Sequence, residues 1–456
     1  MNQADQTQTA DVKSPPAPSG VEAFWFWLML GCISFGGPAG QIAIMHRELV
    51  ERRRWISEKR FLHALNYCMV LPGPEAQQLA TYIGWLMHRT TGGLIAGGLF
   101  VLPSLFLLIT LSWIYMAFGH LPLVAGLLYG VKPAVTAIVL QAIHRIGGRV
   151  LKNPALWLIA AGAFAAIFVF HMPFPLIIAM AALTGFLGDK ILHQAFQPLT
   201  GHASAGRTYG PALIDDDTPT PAHARFRWSG LARVGIAGLV LWAGPILILG
   251  YGLGWTHPLS AMAVFFSGAA LLTFGGAYAV LPYVYQGAVN QYGWLAGPQM
   301  IDGLAMGETT PGPLIMVVTF VGFVGGYTNA IFGPDQLAMA GIAAACVVTW
   351  FTFLPSFIFI FLGGPLIETT HKNIKFTAAL TAITAAVVGV ILNLGLFFAY
   401  HVLWPQGFGQ GFDWVACVIT LLAAVALIRF KAPVMAIIVS CALFGLVLPL
   451  FHIQGA

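Results

Sequence analysis

The sequence predicts an all-α polytopic membrane protein made of two inverted homologous repeats whose helices are broken or re-entrant. Three observations predict it. Of 456 residues, 58% are hydrophobic and 8% are charged, against roughly 25% charged in a soluble domain, so most of the outer surface must face hydrocarbon. A set of short motifs recurs in the same order in the two halves of the chain. Basic residues beside those motifs in the first half are missing beside them in the second, which is the charge signature of opposite orientation in a bilayer.

The chain begins with a polar stretch, 1–20, rich in Pro, Ser and Gln. It lacks the charged start and apolar run of a signal peptide and is expected to be a disordered cytosolic tail. The first repeat is placed at 21–188 and the second at 257–456. At an offset of 239, Phe35-Gly36-Gly37 aligns with Phe274-Gly275-Gly276, Trp55 with Trp294, and Pro72-Gly73-Pro74 with Pro311-Gly312-Pro313. After one residue of slippage Thr81-Tyr82-Ile83-Gly84 meets Thr319-Phe320-Val321-Gly322, and at 252 Leu102-Pro103-Ser104 meets Leu354-Pro355-Ser356. Between the repeats, 189–256 holds a polar linker containing Asp215-Asp216-Asp217 and one extra apolar segment, 234–252, that supplies the inversion.

Orientation follows from lysine and arginine. Segment 46–60 carries Arg47, Arg52, Arg53, Arg54, Lys59 and Arg60, whereas 285–299 has none, so the first is expected inside and the second outside. The other basic sites fall inside if 93–117, 121–144, 154–170, 173–188, 234–252, 337–362, 374–400, 413–428 and 432–452 each span once. Segments 22–45, 61–88, 258–284 and 299–332, all interrupted by glycine or proline, then enter and return on one side. Full but broken crossing is the alternative. This arrangement puts the N-terminus in the cytoplasm and the C-terminus in the periplasm.

Broken helices in lipid survive only where they line a cavity, because hydrocarbon cannot satisfy the freed N–H and C=O groups. Helix N-termini at such breaks carry partial positive charge and unpaired donors, which suits a small oxyanion. The residues placed there are Ser34, Gly36, Gly37, Pro38, Gln41, Pro72, Gly73, Pro74, Gln77, Gln78 and Thr81 in the first half. In the second half they are Thr273, Gly275, Gly276, Tyr278, Thr309, Thr310, Pro311, Gly312 and Thr319. Prolines at the first helical turn cost nothing because their missing N–H would be unpaired anyway, and the glycines allow close approach to backbone. Kinking and close helix packing are the bland alternative.

Ionisable residues at membrane depth are costly and usually functional. Lys132 lies midway along an apolar run and is expected either to neutralise an anion or to pair with Glu75. Glu75 and Glu308 flank the two P-G-P motifs as candidate proton-coupling carboxylates; Asp302 is expected near an interface. Arg52, Arg53 and Arg54 are first an orientation signal and a contact for lipid headgroups. The five cysteines show no C-x-x-C and read as small buried hydrophobes, and the 13 histidines show no ligand spacing, so neither a metal nor another cofactor is expected. A net charge of +5 from 21 basic and 16 acidic residues is too small for a nucleic-acid surface.

The ordered set F-G-G-P at 35–38, L-P-G-P-E-A-Q-Q at 71–78, T-Y-I-G-W at 81–85 and T-P-G-P-L at 310–314 resembles the chromate ion transporter family in its two-domain long form. The resemblance covers nearly the whole chain. It implies a secondary transporter, not an enzyme, that exports chromate across the bacterial inner membrane and confers chromate resistance, with sulfate as the similar oxyanion that competes or exchanges. A sulfate or other oxyanion exchanger and a cation channel or carrier using Glu75 and Glu308 are the alternatives. The expected partners are the oxyanion, the lipid bilayer and, among oligomeric options, a second copy of the chain. In the second copy Ala277 replaces Pro38, and Leu314 and Met316 stand where Glu75 and Gln77 would be, so the two halves need not bind alike.

Overall fold

The computed structural model describes residues 15–35, 37–191, 209–219, 221–369, 377–409 and 411–452. Among them the chain is helical, with one isolated parallel bridge, Ile56 to Ile214, as its only β pairing. It is an all-α polytopic membrane protein. Five helices are long and apolar enough to cross a bilayer, within 75–118, 122–150, 228–253, 334–368 and 378–403. Large apolar side chains such as Phe106, Leu158, Ile236 and Ile248 lie on the outer surface, as the hydrocarbon solvent requires.

Each of the four interrupted segments is a pair of short helices. They are α1 (Gly20–Ile33) with α2 (Gly37–His46), and α3 (Glu58–Val70) with the first arm of α4 (Glu75–Phe118). After α5 (Pro122–Val150), α6 (Pro154–Phe168), α7 (Phe174–Ile191) and α8 (Trp228–Leu253) come α9 (Pro258–Leu272) with α10 (Ala277–Tyr285), and α11 (Gly297–Thr309) with α12 (Val317–Thr328). A 13-residue helix is about 20 Å long, short of the roughly 30 Å hydrocarbon core. None of these eight arms crosses alone. The chain ends with α13 (Leu337–Thr369), α14 (Thr377–Leu403), α15 (Trp414–Ile428) and α16 (Val434–His452); α13 and α14 are long enough for the spans expected there, whereas α15 and α16 are among the shorter apolar helices.

α4 is itself a tight hairpin. His88 and Arg89 leave helical geometry, Arg89 at φ +59°, and the two arms then pack side by side. A Cβ on Gly84 would lie 2.5 Å from the Gly92 carbonyl oxygen, and one on Gly97 would lie 2.1 Å from Thr81 Oγ1. Only glycine permits this approach, the small-residue packing by which helices associate without a hydrophobic driving force in lipid.

The ends of the first-half pairs gather at one end of the molecule. Arg53 reaches Glu22 at 3.3 Å, His88 Nε2 bonds the Pro18 carbonyl at 3.0 Å, and the Ser57 N–H donates to the Ile214 carbonyl at 2.9 Å. The second arm of α4 runs from there to Tyr115, whose hydroxyl donates to Asp302 near the start of α11 at 3.0 Å. The loop before α11 in turn meets the end of α12, Thr328 Oγ1 donating to the Trp294 carbonyl at 3.4 Å. The second-half pairs α9–α10 and α11–α12 thus open at the far end of α4.

The linker is more structured than a polar spacer. Residues 192–208 lie outside the described residues, but Leu213 and Ile214 donate to the Arg54 and Trp55 carbonyls, and Asp216 accepts from Ser57 Oγ at 2.8 Å. Ala212, Ile214 and Ala224 are buried there. The expected tail falls mostly outside the described residues as well, although α1 already starts at Gly20 behind the Ser19 cap. Of the cysteines, Cys68 is buried, whereas Cys32 and Cys346 are exposed on the outer, apolar surface, a correction to their reading as uniformly buried residues.

Candidate functional site

The two P-G-P turns and the two residues that end α1 and α9 meet in the interior. The Gly73 N–H donates to the Thr273 carbonyl at 2.8 Å, and the Gly312 N–H donates to the Ser34 carbonyl at 2.8 Å. Gly73 and Gly312 correspond at an offset of 239, as do Ser34 and Thr273. Each turn of one half is therefore hydrogen-bonded to the break in the other half. Both glycines have positive φ, +127° and +103°. A Cβ on Gly73 would sit 2.3 Å from Ser356 Oγ, and one on Gly312 would sit 2.8 Å from the Ser104 Cβ. Ser104 and Ser356 are the paired serines of the two L-P-S motifs. They belong to this crossing, although the sequence marked them only as alignment landmarks.

Around the crossing the polar side chains are fully enclosed: Ser34, Gln41, Gln77, Gln78, Thr81, Thr273 and Thr319 are each 0% exposed. Gln41 Nε2 donates to the Gly312 carbonyl at 2.5 Å and to the Ser34 carbonyl at 3.3 Å, tying α2 to the opposite turn. Gln78 Nε2 donates to the Pro72 carbonyl at 2.8 Å, and Gln77 Nε2 donates to Thr81 Oγ1 at 3.0 Å. Ser34 and Thr273 each donate back to a carbonyl one turn earlier, Leu30 and Ala269, which closes the last turn of α1 and α9 before the break. Thr310 follows α11 and bonds the Gly307 carbonyl at 3.1 Å. Thr319 lies farther off and bonds Thr349 on α13 at 2.9 Å; Thr309 caps the end of α11 through the Met306 carbonyl.

The helix starts are where the prolines placed them. Pro74 is the N-cap of α4 and makes no side-chain capping bond, so the first N–H groups of that helix have no protein cap. Pro38 lies in the first turn of α2, after Gly37 at φ +71°. Gly276 caps α10 at φ +99°, and Gly275, at +77°, approaches Thr384 on α14. Pro311 and Pro313 flank Gly312, and a short 3-10 turn at Leu314–Met316 leads into α12. Gly36 lies outside the described residues.

The charged groups separate into three places. Glu75, at the start of α4, is partly buried and makes no hydrogen bond or ion pair among the described residues. Glu308 is buried and accepts a short hydrogen bond from the Tyr278 hydroxyl, joining α10 to α11. Lys132 pairs with Asp302, Nζ to Oδ1, at 3.4 Å. The partner is therefore not Glu75, and Asp302, expected near an interface, is 3% exposed between α4, α5 and α11. Asp302 and Glu308 are six residues apart on α11, about 9 Å of helix rise, so Lys132 stands beside the crossing rather than in it.

A second ion pair is buried beside the first-half helices. Arg60 donates to Glu368 at 2.9 Å, and Glu368 also accepts a short bond from the Tyr82 hydroxyl, linking α3, α4 and α13. The sequence marks Arg60 as one positive charge among six, and Glu368 follows an apolar span with no local motif to mark it. Arg53, by contrast, stacks over Phe26 and Trp55 at 4.8 and 4.9 Å, an anchoring contact at the basic end of the molecule.

Comparison with known proteins accords with this arrangement. The family described as "Chromate transporter" matches residues 21–186 and 260–446, the two segments of its long form. The "Chromate transport protein" of Pseudomonas aeruginosa is 34% identical over 381 residues, covering 83% of this chain and 80% of its own. That of Cupriavidus metallidurans is 28% identical over 98% of both chains. An uncharacterized transporter of Methanocaldococcus jannaschii is 23% identical over 85% of this chain and 86% of its own. No solved structure matches. With both segments matched and a relative at this identity over most of its length, the chain belongs to the chromate transporter family.

Proposed function

We propose that this protein is a secondary transporter that exports chromate across the bacterial inner membrane, conferring chromate resistance, and that it binds the oxyanion where the broken helices of two inverted halves meet. The observation that carries this reading is the reciprocal pair of backbone bonds, Gly73 to Thr273 and Gly312 to Ser34. It brings four helix breaks to one buried place and aims the uncapped start of α4 there, the arrangement that suits a small anion. The opening of first-half and second-half helix pairs at opposite ends of α4 supports the inversion. The basic residues Arg47, Arg52, Arg53, Arg54, Lys59 and Arg60 all lie on 46–60, at the end where the first-half pairs open, which favours a cytoplasmic placement for it.

Energetics favour export. Moving a dianion out down an inside-negative 100 mV potential releases roughly 4.6 kcal/mol, so outward flux needs no further driving ion, whereas uptake needs coupled protons or another ion. Glu75 and Glu308 are the proposed proton-coupling groups, and Lys132, held by Asp302 beside the crossing, is the proposed countercharge for the anion. The test is uptake of labelled chromate into everted vesicles under an imposed potential or pH gradient. The parent protein should accumulate chromate, and Glu75→Gln should lose the pH-gradient response. Lys132→Ala should reduce flux more than Arg53→Ala, with protein amount and folding matched. Because Lys132→Ala also leaves Asp302 buried without its cation, at a cost of about 3 kcal/mol, Lys132→Met with Asp302→Leu serves as the folding control. Absence of any protein-dependent oxyanion flux from folded protein would refute the reading.

A further inference from the structure

The three glutamines at the crossing have amide orientations that their partners fix. Gln41 Nε2 faces two backbone carbonyls, and Gln78 Nε2 faces the Pro72 carbonyl. Gln77 Nε2 faces Thr81 Oγ1, whose own hydrogen is already given to the Gln77 carbonyl at 2.9 Å. The carbonyl partners can only accept, so turning the Gln41 or Gln78 amide over would set oxygen against oxygen, although Gln78 Nε2 also meets Ser356 Oγ at 3.4 Å. The Gln77 amide keeps its orientation as long as the Thr81 hydrogen stays on the Gln77 carbonyl. The consequence is that Oε1 of Gln41, Gln77 and Gln78 are all buried with no donor among the described residues, and all three side chains are fully enclosed. Buried acceptors left in this way call for a hydrogen-bond donor.

At the start of α4 these acceptors stand beside donors. The N–H groups of Glu75, Ala76 and Gln77 belong to the uncapped first turn, since the first backbone bond within the helix runs from the Gln78 N–H to the Pro74 carbonyl. The Gln78 amide folds back to the P-G-P turn, whereas the Gln77 amide reaches one turn further along the helix, to Thr81. A fully deprotonated tetrahedral dianion offers only acceptors. It would meet the N–H groups well and the amide oxygens badly.

We propose that Gln77 and Gln78 select the singly protonated oxyanion, whose hydroxyl donates to an amide oxygen at the start of α4 while its other oxygens accept from the first-turn N–H groups. The inference rests on the oxyanion reading given above and sharpens it: the species carried is hydrogen chromate. Chromate takes up a proton near neutral pH, whereas sulfate remains a dianion except in strong acid. A neutral amide thus separates two ions of nearly equal shape, because a site built to accept a hydroxyl hydrogen leaves its oxygens unpaired against the ion that lacks one. Gln41 shows the same pattern on the opposite turn, but Met316 stands where a second-half counterpart of Gln77 would be, so the selective end belongs to the first half.

The protein's own titration must be kept apart from the substrate's. The titratable and charged groups of the elements packed on this part of α4 are Glu75, Tyr82, His88 and Arg89 on α4, Glu58, Lys59, Arg60, His63, Tyr67 and Cys68 on α3, Glu22 and Cys32 on α1, His46 on α2, Asp302 and Glu308 on α11, Tyr327 on α12, and Cys346 and Glu368 on α13. Among the described residues the amide oxygens of the three glutamines take a hydrogen bond from none of them. Sulfate, which does not titrate in the working range, reports on these groups alone.

The experiment is displacement of labelled chromate from the purified full chain in detergent between pH 5.5 and 8.5, with four competing ions. Phosphate and arsenate carry a hydroxyl across this range, sulfate does not, and perchlorate is a tetrahedral monoanion without one. Phosphate and arsenate should displace chromate at concentrations at least tenfold lower than sulfate or perchlorate. Apparent affinity for total chromate should tighten as pH falls while that for sulfate stays flat. In Gln77→Met and in Gln78→Met the preference for phosphate over sulfate should shrink toward equality while chromate still binds; if one variant fails to fold, the other carries the test.

Equal displacement by sulfate and phosphate would overturn the proposal and leave the oxyanion reading standing. Perchlorate matching phosphate would overturn it in favour of charge alone. Chromate binding that requires sodium, with a flat competition series, would assign the amide oxygens to a cation instead. No chromate binding at any pH by folded protein would instead refute the oxyanion reading itself.

Discussion

Glycine is used at the breaks for two different reasons, and the difference is measurable. Gly73 and Gly312 combine positive φ with a crowded Cβ direction, whereas Gly37 and Gly276 have positive φ and open space around it. Gly37→Ala should therefore cost only the left-handed backbone penalty, about 1–2 kcal/mol. Gly73→Ala adds a clash with Ser356 Oγ and Gln78 Nε2, at 2.3 and 2.7 Å, and stretches the bond to Thr273, so it should cost about 3 kcal/mol or more. Thermal unfolding of the two variants in detergent should rank them in that order, and only Gly73→Ala should also abolish oxyanion binding. An equal, small shift for both would mean that the crossing is looser than its hydrogen bonds imply. The motifs P-G-P and F-G-G were legible because glycine and proline are strong local signals. Lys132 was legible as an unusual residue, but its partner was not: Asp302 is 170 positions away in the chain, and sequence spacing carries no information about such a pair.

At the scale of elements, the helices and their breaks could be read from hydropathy and punctuation, but two features depend on tertiary contact. The sequence separates 61–88 from 93–117, and the chain does reverse at His88-Arg89, but that the two arms form one tight hairpin comes from packing through Gly84, Gly92 and Gly97. The linker likewise looked like a spacer because its polar composition lacks a periodic apolar face. Its few apolar residues suffice to dock on the loop after α2. His223 extends that docking: its Nε2–H donates to the Trp85 carbonyl at 2.9 Å, at the end of the first α4 arm. Burial, with the nearby Arg89 charge, holds its pKa below the usual histidine value, against the opposing pull of the hydrogen bond. A base with a lowered pKa is neutral when docked and binds its proton more readily when released. Docking of this strap should therefore be complete above the ordinary histidine value of about 6.5 and weaken as pH falls through it. Limited proteolysis within 209–224 should speed up between pH 7.5 and 5.5 in the parent protein, and His223→Phe should remove that pH dependence. A cleavage rate that is flat with pH in the parent would show that the histidine does not control the strap.

At the scale of the whole molecule, the short helix pairs of the two halves open at opposite ends. α1–α2 and α3–α4 open at the end that holds Glu22, Arg53, His88 and the docked linker, and α4 then carries the chain about 40 Å to Tyr115 and the start of α11. The π-helical turns Arg47–Arg52 and Gln286–Gln291 correspond at the same offset of 239 and precede Trp55 and Trp294. Each therefore marks the mouth of its own half. Such turns bend the helix and shift its register by one residue, which turns the following tryptophan inward; Trp55 and Trp294 are each 3% exposed. If the halves are inverted, the two turns lie on opposite faces of the membrane. In a cysteine-free background, single cysteines at Arg52 and Tyr292, both outside the packed interior, should react with a membrane-impermeant maleimide from opposite sides: Arg52→Cys in everted vesicles and Tyr292→Cys in intact spheroplasts. Labelling of both from one side would place the two π-turns on the same face. The halves would then be parallel, and the reciprocal bonds between Gly73 and Thr273 and between Gly312 and Ser34 would need a different geometric origin. Opposite labelling leaves one two-fold axis in the plane of the membrane, through the crossing. The differences between the halves at Glu75 and Gln77 then become differences between the two faces from which a bound oxyanion is approached.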